Sequence, residues 1–189
     1  MKTRRPRLRE PVRELNGSDR RASIPRERLR KRYRPDRVRI LFVGEAPPAS
    51  GRFFYQADSG LYRAIRETFI SAFPSLQNEP FLESFRALGC YLVDLCRRPV
   101  DYMDRKARRR VCLAGEASLN RTLRQLRPKI VVVVVRSISR NVRRAEEQAK
   151  WSGLHVDLPY PGQWVQHRAE FRRKLVTLLR KRASSVPEV

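Results

Sequence analysis

Acidic residues, histidine and cysteine are all scarce in this sequence, and no apolar run is long. The longest, Ile130 to Val135, is strand-sized and far short of the ~18 residues a membrane helix needs, so no membrane span is expected. Cys90, Cys96 and Cys112 are an odd set with no Cys-x-x-Cys spacing, which argues against a disulfide framework and for a reducing compartment. Only His155 and His167 are available to complete a ligand set, too few for the four close ligands of a structural zinc or iron–sulfur site. Buried, inert thiols are expected instead, with no metal and no cofactor. The opening residues carry charge where a secretory signal needs an apolar stretch. Glu10, Glu14, Asp19 and Glu27 also count against an organellar transit peptide. A cytoplasmic, DNA-associated location is the expectation.

What the sequence has in excess is positive charge. Lys and Arg number 43 against 19 Asp and Glu, a net charge of +24 over 189 residues. The excess is uneven: residues 1–37 hold 15 basic and 5 acidic side chains, leaving 28 and 14 for the rest. Such a surface favours polyanions, because each neutralised phosphate releases condensed counterions. An acidic membrane face is the other physical partner, but no strongly amphipathic basic helix is evident. Arg outnumbers Lys 36 to 7, a skew that coding bias can also produce without any partner. The 41% hydrophobic fraction is enough for one domain with a sizeable core. Residues 1–36 read as a basic, mostly disordered arm broken by Pro6, Pro11, Pro25 and Pro35, with a short helix around Arg26 to Arg34. Residues 37–182 read as the domain, and 183–189 as a tail. A monomer is expected.

Within the domain, apolar runs at Val38–Val43, Tyr91–Leu95, Lys129–Val135 and His155–Leu158 predict four strands. Between them, the stripe Leu61, Ile65, Phe69, Ala72 predicts a helix capped by Asp58 or Ser59 and ended by Pro74. Further helices are expected over Phe81–Leu88, over Asp104–Arg127 with a break near Gly115, over Ile138–Ala149 and over Trp164–Arg182. This alternation predicts an α/β fold, a three-layer αβα domain around a four-stranded, mostly parallel sheet. Ligands of such sheets bind at the carboxyl ends of the strands. Here those ends are Gly44–Pro48, Cys96–Pro99, Arg136–Ser137 and Pro159–Gln163.

The first of these loops is the most distinctive. Gly44-Glu45-Ala46-Pro47-Pro48 is followed by Gly51-Arg52-Phe53-Phe54-Tyr55. Two prolines stiffen it and hold Glu45 at the sheet edge, where its residue type fits equally a carboxylate that orients a water and a plain solvated loop carboxylate. The aromatics either close the core or stack on a planar ligand. Neither a P-loop nor a GxGxxG spacing is present. Val43-Gly44-Glu45-Ala46-Pro47 with Gly51-Arg52-Phe53-Phe54 resembles the first motif of the uracil-DNA glycosylase superfamily. The likeness is closest to its thermostable branch, whose motif runs GEAPG and then GRPF. Tyr91–Cys96, Arg127–Val135 and Leu158–Gln163 resemble the later strands and last motif, so the likeness covers about residues 38–180.

The resemblance implies an enzyme that flips a damaged base out of DNA and hydrolyses its N-glycosidic bond without a metal. It puts Glu45 in the water-positioning place, Phe54 on the face of the base and Asp94 at its reading edge, with Ala46 beside them. Tyr160 takes the place of the leaving-group histidine, and Gly162, Gln163 and Trp164 that of a duplex-wedging loop. Arg52 of the motif, with Arg97 and Arg98 at a strand end, is placed to hold phosphates.

Three positions depart from the family pattern: Pro48 replaces a glycine, Asp94 an asparagine and Tyr160 a histidine. An ionised Asp94 only accepts hydrogen bonds, which favours a base presenting donors. A tyrosine hydroxyl can still donate to a departing base. The branch's cluster cysteines are missing, so no iron–sulfur centre is implied. Other polar residues have plainer readings: Arg108-Arg109-Arg110 and Arg143-Arg144 as solvated helix faces, Asp101 and Asp104 as turn and cap, His155 as a satisfied core histidine, Trp164 as a rim anchor. The function expected is excision of uracil or another deaminated base. The alternatives are a non-catalytic nucleic-acid-binding module of the same fold, favoured by Asp94 and Tyr160, and an unrelated α/β protein whose basic arm docks RNA.

Overall fold

A computed structural model of the chain describes residues 17–183. Four strands, β1 (Ile40–Gly44), β2 (Cys90–Asp94), β3 (Ile130–Val133) and β4 (Leu154–Asp157), form one sheet. It is ordered β2-β1-β3-β4 and every pairing is parallel. Among the described residues six α-helices accompany it: α1 (Gly17–Arg32), α2 (Gly60–Ala72), α3 (Phe81–Ala87), α4 (Arg105–Leu126), α5 (Ser139–Ala149) and α6 (Val165–Ala183). α2 packs on α6, and α4 on α5. The result is the three-layer α/β arrangement that the alternating pattern predicts, and the parallel order puts all four strand ends on one edge.

The continuous apolar runs of β1 and β3 follow from this position. Leu41, Phe42, Val43 and Val131–Val133 are fully buried because both faces of the sheet are covered. The Phe42 ring packs against Phe69 of α2 and Phe85 of α3, with centroids 6.3 and 5.4 Å away. β2 is an edge strand, and a side chain seals it. The Tyr55 hydroxyl accepts from the Leu92 N–H at 2.7 Å and donates to the Leu92 carbonyl at 3.1 Å. It thereby fills the place of a missing neighbour strand. Tyr33 stacks on Tyr55 with ring centroids 5.7 Å apart. The aromatics of the first loop therefore close the core.

Two local expectations change. α4 runs through Gly115 without a break. A Cβ there would overlap the Leu95 carbonyl oxygen, so the glycine serves close approach of α4 to the chain leaving β2, at the usual cost of glycine in a helix. Within the segment read as a mostly disordered arm, Gly17–Arg32 form a helix with Pro25 inside it. Leu29 and Tyr33 pack on the core, and such tertiary contact outweighs the weak local periodicity. The remaining calls on residues 1–16 and 184–189 lie outside the described residues. The caps follow local chemistry: Ser59 Oγ accepts from the Tyr62 N–H, and Asp104 accepts from Lys106 and Ala107.

His155 of β4 lies between two carboxylates. Its Nδ1 is 2.7 Å from Glu146 of α5 and its Nε2 is 3.0 Å from Asp157. Burial opposes charge on the ring, but the bonds to Glu146 and Asp157 outweigh it and raise the pKa above the usual value. A raised folded-state pKa favours the native state below the unfolded value of about 6.5, and that contribution is lost as pH climbs through the folded value. Stability to urea is therefore expected to fall between about pH 6 and 8, below the titration of ordinary thiols. His155→Gln should flatten that slope; a variant that keeps it would remove His155 as its source.

Candidate functional site

The pairing of β1 with β2 does not stop at the strand ends. The Leu95 N–H donates to the Gly44 carbonyl at 2.9 Å and the Cys96 N–H to the Glu45 carbonyl at 2.7 Å. Two loops thus leave the sheet together with their backbones locked. A Cβ on Gly44 would lie 2.9 Å from Asp94 Oδ1, so the glycine is there to admit the Asp94 carboxylate rather than to turn the chain. The outer end of the first loop is pinned by Asp101, which accepts from the Ala49 N–H at 2.8 Å. Asp58 holds its return by accepting from the Phe53 N–H at 2.7 Å.

Between these loops lies a cavity of about 370 Å³. Ala46, Arg52, Phe54, Asp94 and Tyr160, five of the residues singled out in the sequence, line it together. Phe54 is almost wholly buried, its ring braced edge-on by Tyr55 and Tyr62. It is a wall rather than a free platform. Tyr160 is 47% exposed at the mouth. Burial, then the nearby Asp101, push its phenol above the usual value against the pull of Arg63. The hydroxyl is therefore a proton-bearing donor at neutral pH.

The two carboxylates are each held by an arginine that the sequence did not point to. Asp94, whose side chain is 7% exposed, accepts from Arg30 of α1 through Oδ2 at 2.8 Å. Burial still pushes its carboxyl above the usual range, against the opposing charges of Arg30 and Arg26. Glu45 accepts from Arg108 of α4 through both oxygens, the bidentate geometry that matches a guanidinium to a carboxylate. The same hydrogen bonding raises the Arg108 pKa against the cost of its partial burial. Cys112 Sγ is 3.7 Å from Glu45 Oε1 and 3.7 Å from Cys96 Sγ. All three thiols are buried and free, with pKa values raised first by that burial, as suits inert cysteines.

A profile of the Uracil DNA glycosylase superfamily matches residues 31–181. The chain belongs to that superfamily. No curated protein matches it. The superfamily match spans all four strands and the loops that wall the cavity, and it begins inside α1, one residue beyond Arg30.

Not every candidate joins this cavity. The Glu45 side chain turns towards Arg108 instead of lining it. Arg97 lines a second cavity on the far side of Asp94. Arg98, Gln163 and Trp164 line neither; Trp164 stands 60% exposed at the start of α6. Asp101 and Arg63 are wall residues that sequence reasoning treated as a turn residue or passed over. Arg30 lay in a stretch without apolar periodicity, and Arg108 in a triplet that reads as solvated surface. Among the described residues no cluster of His, Cys, Asp and Glu could hold a metal ion.

Removing Arg30 leaves a buried carboxylate without its cation, a loss of about 3–5 kcal/mol where such pairs have been broken from one side. Arg30→Ala should therefore unfold at much lower urea concentration, and adding Asp94→Asn should recover most of the loss. Equal stability of Arg30→Ala and the parent would show that the pair is not closed in solution.

Proposed function

We propose that the protein is a DNA glycosylase that hydrolyses the N-glycosidic bond of a flipped, deaminated base. The observation that supports this best is that one cavity at the carboxyl edge of the sheet gathers Ala46, Phe54, Asp94 and Tyr160. Its volume suits one base, with Phe54 as the apolar wall for the ring. Asp94 uses Oδ2 for Arg30 and keeps Oδ1 for the base edge, a pure acceptor that selects a ring N–H or exocyclic amine. As the bond breaks, negative charge gathers on the base and positive charge on the sugar. Tyr160 donates to the former, a preorganised dipole of the kind worth about 10²–10³ in rate. Glu45 answers the latter and orients the water. It can do so once Arg108, whose side chain is 42% exposed, turns out to a phosphate of the bound strand.

One observation favours a second reading, a DNA-binding module without chemistry: Asp94 and Glu45 are each paired with an arginine. Single-turnover excision on oligonucleotides carrying uracil, hypoxanthine or xanthine separates the two. The glycosylase reading expects abasic sites from the parent and a loss of about 10²-fold or more in Glu45→Ala, the usual scale for a positioned acid–base group. Salt-sensitive DNA binding with no excision of any of the three bases would establish the module.

A further inference from the structure

The second cavity, about 630 Å³, lies between α1, β2 and α4, and shares only Asp94 and Pro47 with the first. Its wall carries five cations: Arg26, Arg30 and Lys31 of α1, Arg34 just beyond it, and Arg97 after β2. Two carboxylates, Glu27 and Asp94, face them, and both are bound to Arg30, each at 2.8 Å. The other four cations have no ion-pair partner among the described residues. Arg30 Nε is buried with no hydrogen-bond partner among the described residues. Across the gap, α4 offers Ser118, Thr122 and Gln125, donors and acceptors without charge. Nothing on that side neutralises the excess.

Uncompensated cations around a concave wall focus a positive potential into it. Three of the four unpaired groups are guanidinium forks, whose geometry suits phosphate oxygens. The space is larger than one phosphate needs, and it adjoins the cavity proposed for the base across Asp94 and Pro47. A strand whose base entered the first cavity would carry its neighbouring phosphates over that shared wall.

We propose that this second cavity binds the phosphodiester backbone of a nucleic-acid strand, with Arg26, Lys31, Arg34 and Arg97 as its phosphate contacts. α1 is then part of the binding surface, and Arg30 joins the backbone site to the carboxylate of the base site. The choice of a strand as ligand rests on the glycosylase reading; the anion site itself rests only on charge and shape.

Binding tests this without any chemistry. Lys31 and Arg34 are exposed and lie outside the catalytic cavity, so Lys31→Gln with Arg34→Gln in the full chain removes two proposed contacts. The control, Arg109→Gln with Arg110→Gln, removes the same charge from exposed positions of α4 that line neither cavity. Fluorescence anisotropy with a labelled single-stranded oligonucleotide gives the dependence of log affinity on log salt. Two phosphate contacts contribute roughly 1.4 to that slope on a single strand, at about 0.7 each. The expected result is a slope shallower by that amount in the cavity variant and unchanged in the control. An unchanged slope in the cavity variant, or equal flattening in both, overturns the proposal. So does binding of thymidine monophosphate that the cavity variant loses while strand binding stays intact, which would make the cavity a free-nucleotide site. An absence of excision by the parent bears on the glycosylase reading alone and leaves this comparison intact.

Discussion

The ion pair between Arg30 and Asp94 holds three parts of the molecule in one arrangement. Asp94 ends β2, lines both cavities and lies against Gly44 at the end of β1. Arg30 belongs to α1 and covers the Phe53 ring at 5.4 Å. A carboxylate this buried needs a cation or a proton, and its raised pKa shows that the cation only partly offsets the burial. The pair therefore ties α1 to the end of β2 and forms part of the wall between the two cavities. A solvent-exposed pair could not carry that much structure, since screening would reduce it to a fraction of a kcal/mol.

Around this pair the sheet supplies rigidity. Backbone bonds from Leu95 to Gly44 and from Cys96 to Glu45 extend the β1–β2 ladder into the loops. Those loops present their side chains from a frame fixed by backbone hydrogen bonds. Such preorganisation is what electrostatic catalysis requires, because dipoles set before the reaction cost nothing to reorient during it. The same frame explains why the loop aromatics are buried. Tyr55 replaces a strand at the β2 edge, and Phe54 lies perpendicular to Tyr55 while it lines the cavity.

The fold was legible in the residues because parallel central strands must be apolar on both faces, and Val38–Val43 and Ile130–Val135 leave no other use for such runs. The gathering of Ala46, Arg52, Phe54, Asp94 and Tyr160 was legible through motif order: parallel strands bring their carboxyl ends to one edge whatever lies between. The arginine partners were not. Arg30 sits where local sequence argues for a solvated arm, and the contacts that pack α1, through Leu29, Tyr33 and Arg30 itself, are all tertiary. Arg108 is indistinguishable in sequence from Arg109 and Arg110; the turn of α4 after the Asp104 cap decides which of the three faces Glu45. Gly115 misled for a related reason, since a glycine that breaks a helix and one that admits a neighbouring carbonyl look alike in a sequence.

The central claim is that the cavity beside Asp94 receives a base drawn out of DNA. It is tested most directly by binding, in the absence of turnover, to a duplex carrying 2-aminopurine next to a non-hydrolysable 2′-fluoro deoxyuridine. Extrusion of the uridine unstacks its neighbour, so the account predicts a rise in fluorescence with the parent protein. Filling the cavity with Ala46→Trp should abolish that rise while leaving the duplex bound. A duplex that binds with no change in fluorescence, or a rise that survives Ala46→Trp, would contradict the account.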